Sequence, residues 1–230
     1  MLSEVFKRNF IVLKQRKNWS SCPLSNLITE IIGGDWGKEL PSGKHTEEVY
    51  CIRGTDIPLI EQGNKGKMPV RYIQPRNYNS KKLFDGDIVI EVSGGSPTQS
   101  TGRATIIKKT LLDRFNQKIV CTNFCRALKP RDGYSSLLYF YWLFLYEKGV
   151  FFSYENGTTG IKNLDLDGVI NNEIIHIPPF EQVEEFEQLC CKTFAQIHAN
   201  GEENEKLALL RDTLLPQLMS GELEVSLIDF

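Results

Sequence analysis

The stretch "HIPPFEQ", residues 176–182, decides how this 230-residue chain is divided. A Pro-Pro-aromatic corner can serve amine chemistry only if the residue before the prolines offers a side-chain oxygen to the attacking amine. Here that residue is Ile177, whose aliphatic side chain has no acceptor. The prolines therefore read as punctuation. From Phe180 to about Leu215 no proline occurs, and Pro179 stands near a first helical turn, where a missing N–H costs nothing. The prolines open a helix of about 35 residues, a rod of roughly 50 Å. Apolar residues recur along it at Val183, Phe186, Cys190, Ile197, Leu207, Leu210 and Leu214, a heptad-like seam. A seam that long exceeds what a small domain can cover, so a partner helix is expected. Its centre, "HANGEEN" (198–204), puts Asn200 and Asn204 on the seam with Gly201 beside it. Either the helix breaks there or polar seam positions fix its register.

Upstream of the prolines the pattern is short apolar runs between Gly, Pro, Asn and Asp. "DIVIEV" (87–92), "ATIIKK" (104–109) and "KIVCTNFCRAL" (118–128) read as strands from their β-branched content and flanking breakers. "SSLLYFYWLFLYEKG" (135–149) reads as a buried helix capped by Ser135 or Ser136 and stopped at Gly149. Strands and helices do not alternate regularly, which speaks against a doubly wound nucleotide-binding sheet. The expected fold class is α+β: a globular mixed domain over residues 1–176, followed over 177–230 by a long coiled-coil-forming α-helix and tail.

With 41% hydrophobic and 24% charged residues the composition is that of an ordinary soluble globular chain. Its longest apolar run, "LLYFYWLFLY" (137–146), is far short of the roughly 20 residues a membrane span needs. The start, "MLSEVFKRNFIVLKQRK", lacks the continuous apolar core of a secretory signal, so a cytoplasmic protein with no membrane association is expected. Six cysteines without C-x-x-C spacing and three scattered histidines suggest neither a zinc site nor a disulfide framework. The net charge of −2 hides an asymmetry: residues 1–175 carry 24 Lys+Arg against 18 Asp+Glu, and residues 176–230 carry 3 against 11. A basic body points to a polyanion, and an acidic tail to a basic protein partner, unless both are merely solvated surface.

Three stretches have the chemistry of a polyanion contact. "GDIVIEVSGGSPTQSTGR" (86–103) runs a strand into a glycine-rich loop with Ser93, Ser96, Thr98, Thr101 and Arg103, donors suited to phosphates or base edges. On these residues alone, a tight structural turn whose polar side chains merely face water is the reading to prefer. No G-x-x-x-x-G-K-[ST] occurs, so nucleotide hydrolysis gains no support. "GTTGIKNLD" (157–165) offers Thr158, Thr159, Lys162 and Asn163, or a loop capping the next element. "GNKGKMPVRYIQPRNYNSKK" (63–82) contains no acid and interleaves Lys65, Lys67, Arg71 and Arg76 with Tyr72, fit to neutralise phosphates and pack on bases. Trp36 and Trp142 read as core.

Taken in order, these residues resemble half of a Type I restriction-modification specificity subunit, in a half-length form. The resemblance rests on a series: "GGDWGKE" (33–39), "IRGTDI" (52–57), "LFDGDIVIEVSGGSPTQSTGRATII" (83–107), "TNFCRAL" (122–128), "GTTGIKNLDLD" (157–167), "IPPFEQ" (177–182) and "LRDTLLPQLMSGELEV" (210–225). It implies a target-recognition domain for one half of a split double-stranded DNA site and a conserved spacer helix. It further implies a non-catalytic subunit that binds no cofactor itself and works with methyltransferase and restriction subunits. S-adenosylmethionine belongs to the methyltransferase, which the 210–225 stretch would help dock. Full-length members carry two recognition domains and two spacer helices. This chain has room for one of each, so a homodimer through the long helix, reading an inverted repeat, is expected. Removing a turn or two near Gly201 should then shorten the gap between half-sites.

Two other readings compete. The Asp/Glu strand of "DGDIVIEVSG" is similar to that of metal-dependent nucleases, but the position two after Glu91 holds Ser93 where that chemistry needs lysine. The Pro-Pro-Phe corner likewise resembles that of amino-methyltransferases and lacks its acceptor. The other reading is a pure protein-interaction module, which predicts no salt-sensitive DNA binding.

Overall fold

The computed structural model describes residues 1–12, 18–96, 98–157 and 161–222. In chain order its elements are α1 (Leu2–Phe6), β1 (Ser20–Pro23), β2 (Ile28–Gly33), β3 (Glu47–Ile52), α2 (Ile57–Glu61), β4 (Val70–Ile73), α3 (Pro75–Lys81), β5 (Ile88–Glu91), β6 (Ser93–Gly94) and β7 (Ala104–Ile106). There follow α4 (Lys109–Asp113), β8 (Ile119–Cys121), β9 (Cys125–Pro130), α5 (Ser135–Glu147), β10 (Glu155–Asn156), β11 (Lys162–Leu164), α6 (Leu166–Asn172), β12 (Ile174–Ile177) and α7 (Phe180–Met219).

The central sheet is antiparallel, in the order β2-β9-β5-β7. All four residues of β5 are buried because the sheet is covered on both faces. Alternating side chains send Ile88 and Ile90 into one core and Val89 into the other. The second core is closed by the sheet β4-β3-β8, in which β3 and β8 run parallel. The expected single strand over 118–128 is therefore two strands in two sheets. Residues 122–124 turn between them, with the Cys125 N–H donating to the Thr122 carbonyl.

The larger core is built on α5, whose residues from Ser136 to Trp142 are all buried, and the Trp142 indole donates to the Gly102 carbonyl at 2.7 Å. Against α5 pack Phe6 and Phe10 from the N-terminal segment and, from α7, Val183, Phe186, Cys190 and Phe194. This corrects the expectation for the first half of the seam. Val183, Phe186 and Cys190 are buried in the chain's own core, and Ile197 packs beside them. The domain can cover so much of the rod because α5 lays a second helix along it. Neither serine caps α5 as expected. The Glu187 carboxylate of α7 accepts from the Ser136 N–H at 2.5 Å, the Ser136 hydroxyl at 2.7 Å and the Leu137 N–H at 3.2 Å, satisfying the free end of α5 from another element.

α7 neither breaks at "HANGEEN" nor places Asn200 and Asn204 in a seam; both are exposed on a continuous helix, and Gly201 is buried. The helix also continues past Pro216 to Met219. Beyond residue 206 the apolar side chains emerge: Leu207 and Leu210 are exposed and Leu214 is half-buried. No helix among the described residues is long and apolar enough to cross a membrane.

His198, on the buried face of α7, is 4% exposed and its Nδ1 has no partner among the described residues. Burial, with the charges of Arg114 and Lys108 nearby, pushes its pKa below the ordinary 6.5. Near and below that pH the unfolded chain takes up a proton that the folded chain refuses. Stability should therefore be fully present at neutral pH and fall as pH drops below about 6.5. Urea midpoints at pH 7.5 and 5.5 check this: the fall should be smaller in His198→Leu than in the wild type, and an equal fall would contradict it.

Candidate nucleic-acid interface

Two strand pairings build the site. The parallel β3·β8 pair ends with Ile52 beside Cys121, and the antiparallel β5·β9 pair ends with Glu91 beside Cys125. Residues 122–124 therefore bridge the ends of both sheets. The Thr122 N–H donates to the Ile52 carbonyl at 2.9 Å, and the Phe124 carbonyl accepts from Val92 at 2.9 Å and Ser93 at 3.2 Å. Between these strand ends lies a cleft of about 600 Å³. Trp36 forms part of its wall, with Arg53, Gly54 and Thr55 from the segment after β3, Glu91 from the end of β5, Ser93 from the start of β6, and Thr122, Asn123 and Phe124 from the bridge. Four of the motifs singled out above meet here, though they are spread over residues 33–128 of the sequence.

Three arginines near the cleft, Arg53, Arg71 and Arg103, are each held by a carboxylate. Arg53 grips Asp56 through Nε at 2.9 Å and Nη2 at 3.1 Å, and Nη2 also donates to the Lys67 carbonyl at 2.7 Å. Burial alone would push the Asp56 carboxyl up, but the Arg53 side chain and the N–H groups of Arg53 and Lys67 outweigh it and hold the pKa below the usual carboxylate value. Arg103 donates to both oxygens of Glu91, at 2.8 and 2.7 Å. The Arg71 guanidinium lies 3.8 Å from the Trp36 ring centroid and 3.1 Å from Glu39. Glycine is required beside the Glu91 carboxylate: a Cβ on Gly54 would stand 2.2 Å from Oε1 and one on Gly94 2.7 Å from it. Fixed guanidiniums, one half-exposed and one fully projecting aromatic ring, and the exposed Asn123 amide suit base edges and phosphates. Burial raises the thiol pKa of Cys51 to about 12 and of Cys125 to about 11, so neither buried thiol beside the cleft is a nucleophile at neutral pH.

The expected contact residues divide. Ser93 lines the cleft and donates to Asn163 Oδ1 at 2.5 Å, because β6 pairs with β11 and so joins the two glycine-rich stretches. Lys67 is exposed beside Arg53, Ser96 and Thr98 lie on the following loop, and Arg76 is exposed on α3. Others have internal roles. Thr101 is fully buried and donates its N–H and hydroxyl to Glu155, which also takes Lys162 at 2.7 Å. Arg71 and Arg103 stand behind the cleft, engaged as above. The Tyr72 hydroxyl donates to Glu48, and the Lys65 N–H donates to Glu205 on α7, far along the chain from the cleft motifs. Thr158 and Thr159 lie outside the described residues. The cleft adds Trp36, Arg53, Asn123 and Phe124, to which the sequence had given no contact role. Their signal was present in "GGDWGKE", "IRGTDI" and "TNFCRAL"; what was missing was that they converge. The nuclease reading gains nothing, since Glu91 has both oxygens on Arg103 and Ser93 is bonded to Asn163.

Comparison with known proteins gives a family and a fold. The family described as Type I restriction modification DNA specificity domain matches residues 47–218, which take in most of the cleft and nearly all of α7. No curated protein gives a significant match. Among solved structures, one from work on complex assembly and conformational transition of the type I R-M system is 17% identical, with a TM-score of 0.50 over 94% of this chain and 50% of that one. The Type-I restriction-modification system S subunit from M. genitalium is 16% identical, with a TM-score of 0.55 over 90% of this chain and 48% of that one. At such identities the likeness is one of fold. The chain spans about half the length of these solved structures.

Proposed function

We propose, from the premise that this chain belongs to the Type I restriction modification DNA specificity domain family, that it is a non-catalytic DNA-recognition subunit whose cleft reads one half of a split target. The observation that carries this reading is the convergence of four separated motifs on one cleft with exposed aromatic and amide groups and the pre-oriented Arg53. Phe124, Asn123, Trp36 and Arg53 would meet base edges, while Lys67, Arg76, Ser96 and Thr98 would meet phosphates; Ser93 and Asn163 shape the rim.

The distal part of α7 would supply the second half of the site. Leu207, Leu209, Leu210, Leu215 and Leu218 are exposed there, too many large apolar side chains on one solvated rod to be left uncovered. A second copy packed two-fold against this segment covers them and makes the DNA target an inverted repeat. The same complex would carry the methyltransferase, which uses S-adenosylmethionine, and the restriction subunit, and would act in the cytoplasm.

Duplex binding by the purified chain, titrated with salt, tests the reading. Affinity should fall with a log–log slope of about −0.9 for each phosphate neutralised. A protein-interaction module would bind duplex weakly or not at all, with no such slope, and that result would overturn the proposal.

A further inference from the structure

We infer that the crossing of Gly201 over Gly63 is an angular joint that sets the direction in which α7 leaves the domain, and through it the number of base pairs between the half-sites. The inference rests on the proposed DNA-recognition role. Past Ile197 the helix leaves the main core, and it then holds the domain by one face: His198, Gly201 and Glu205, at helical spacings of three and four. At Gly201 the two backbones touch. A Cβ there would lie 2.3 Å from the Gly63 carbonyl oxygen, and a Cβ on Gly63, whose φ is +82°, would lie 2.2 Å from the Ile197 carbonyl oxygen. Both are backbone atoms, so no side chain can swing aside.

One turn further on, Glu205 locks the crossing. Its Oε2 accepts from Arg114 Nη2 at 2.6 Å and its Oε1 from the Lys65 N–H at 3.0 Å, while Arg114 Nη1 donates to the Gly63 carbonyl at 2.9 Å. The turn, the arginine of the segment after α4 and the helix are thus tied at one point. Plain packing would need no such lock on a helix already rooted by Val183, Phe186, Cys190 and Phe194.

The lever arm makes the contact consequential. Gly201 lies about 10 Å along the axis from Phe194, and Met219 about 38 Å, at ~1.5 Å per residue. Relief of a Cβ overlap at Gly201 needs a retreat of about 1 Å. Scaled by the ratio of those lengths, the far end moves about 3.5 Å across the helix axis. In a two-fold pair both arms tilt, so the two recognition clefts move relative to one another.

The test is selection from random duplex DNA by the full chain, compared with Gly201→Ala and Glu205→Gln. Expected are unchanged half-sites in all three. Gly201→Ala should favour a gap different from that of the wild type, and Glu205→Gln a broader spread of gaps. Each should show at least a tenfold loss of preference for the wild-type spacing. If Gly201→Ala fails to fold, Glu205→Gln decides alone, since it keeps both glycines. A split site in the wild type with the same sharp gap in the folded variants overturns the joint alone; a single unsplit half-site in the wild type removes this inference with the paired arrangement, and no enriched sequence at all removes the recognition role beneath both.

Discussion

Phe186→Ala should destabilise the folded chain by about 3–5 kcal/mol, the range for a buried phenylalanine truncated to alanine. The ring is 3% exposed and sits among other aromatics, with centroids 5.0 Å from Phe10, 5.5 Å from Phe140 and 6.0 Å from Phe6. Three elements meet on it: the N-terminal segment, α5 and the root of α7. Its loss leaves a void that none of them can close alone. Leu210→Ala makes the contrast. Leu210 lies on the same helix but is 53% exposed, so its loss should change the stability of a single chain by no more than ~0.5 kcal/mol while weakening association between copies. Urea denaturation at low concentration, with sedimentation across a concentration series, separates the two. A stable Phe186→Ala chain that merely stopped self-associating would restore the reading of residue 186 as a partner contact.

Phe124→Ala should cost about 1–3 kcal/mol of duplex affinity, about fivefold to more than a hundredfold, the range for a side chain that touches a base. The expected effect is large because the ring is 58% exposed at the rim of the cleft while its own carbonyl is tied to β5 and β6 by two hydrogen bonds. The backbone presents the ring rigidly and gets no packing from it in return. Stability should therefore change little, which separates a binding defect from a folding one. Titration of a fluorescent duplex with wild type and variant, beside their urea midpoints, checks both statements. Undiminished affinity would remove Phe124 from the interface and leave the cleft without its most accessible contact.

The long helix was legible because its cause is local: two prolines before it and none from Phe180 to Leu215. β5 was legible for the same reason, as a β-branched run flanked by breakers. The break within residues 118–128 was not, because both halves carry strand-forming residues and only pairing with different partners separates β8 from β9. Gly201 looked like a weakness in a helix, since its reason for being glycine is Gly63, a residue distant in sequence whose backbone crosses there. Arg71 looked like a free cation in a basic stretch and Arg103 like a free donor in a glycine-rich loop. Arg71's partner, Glu39, comes from another segment and Arg103's, Glu91, from the strand before its loop, and a count of charges along the chain cannot tell a paired guanidinium from an available one. Thr101 failed in the same way, buried on a glutamate that β10 brings from more than fifty residues away. Where a residue's role depends on a single non-local neighbour, its own type and spacing carry no trace of it.

The most direct measurement is selection from random duplex DNA with the full-length chain, alone and assembled with a Type I methyltransferase subunit, together with the mass of the complex. An enriched inverted repeat split by a fixed gap, with two copies of this chain per complex, is the predicted result. A single asymmetric half-site would contradict the paired arrangement, and the absence of any enriched sequence would contradict DNA recognition itself.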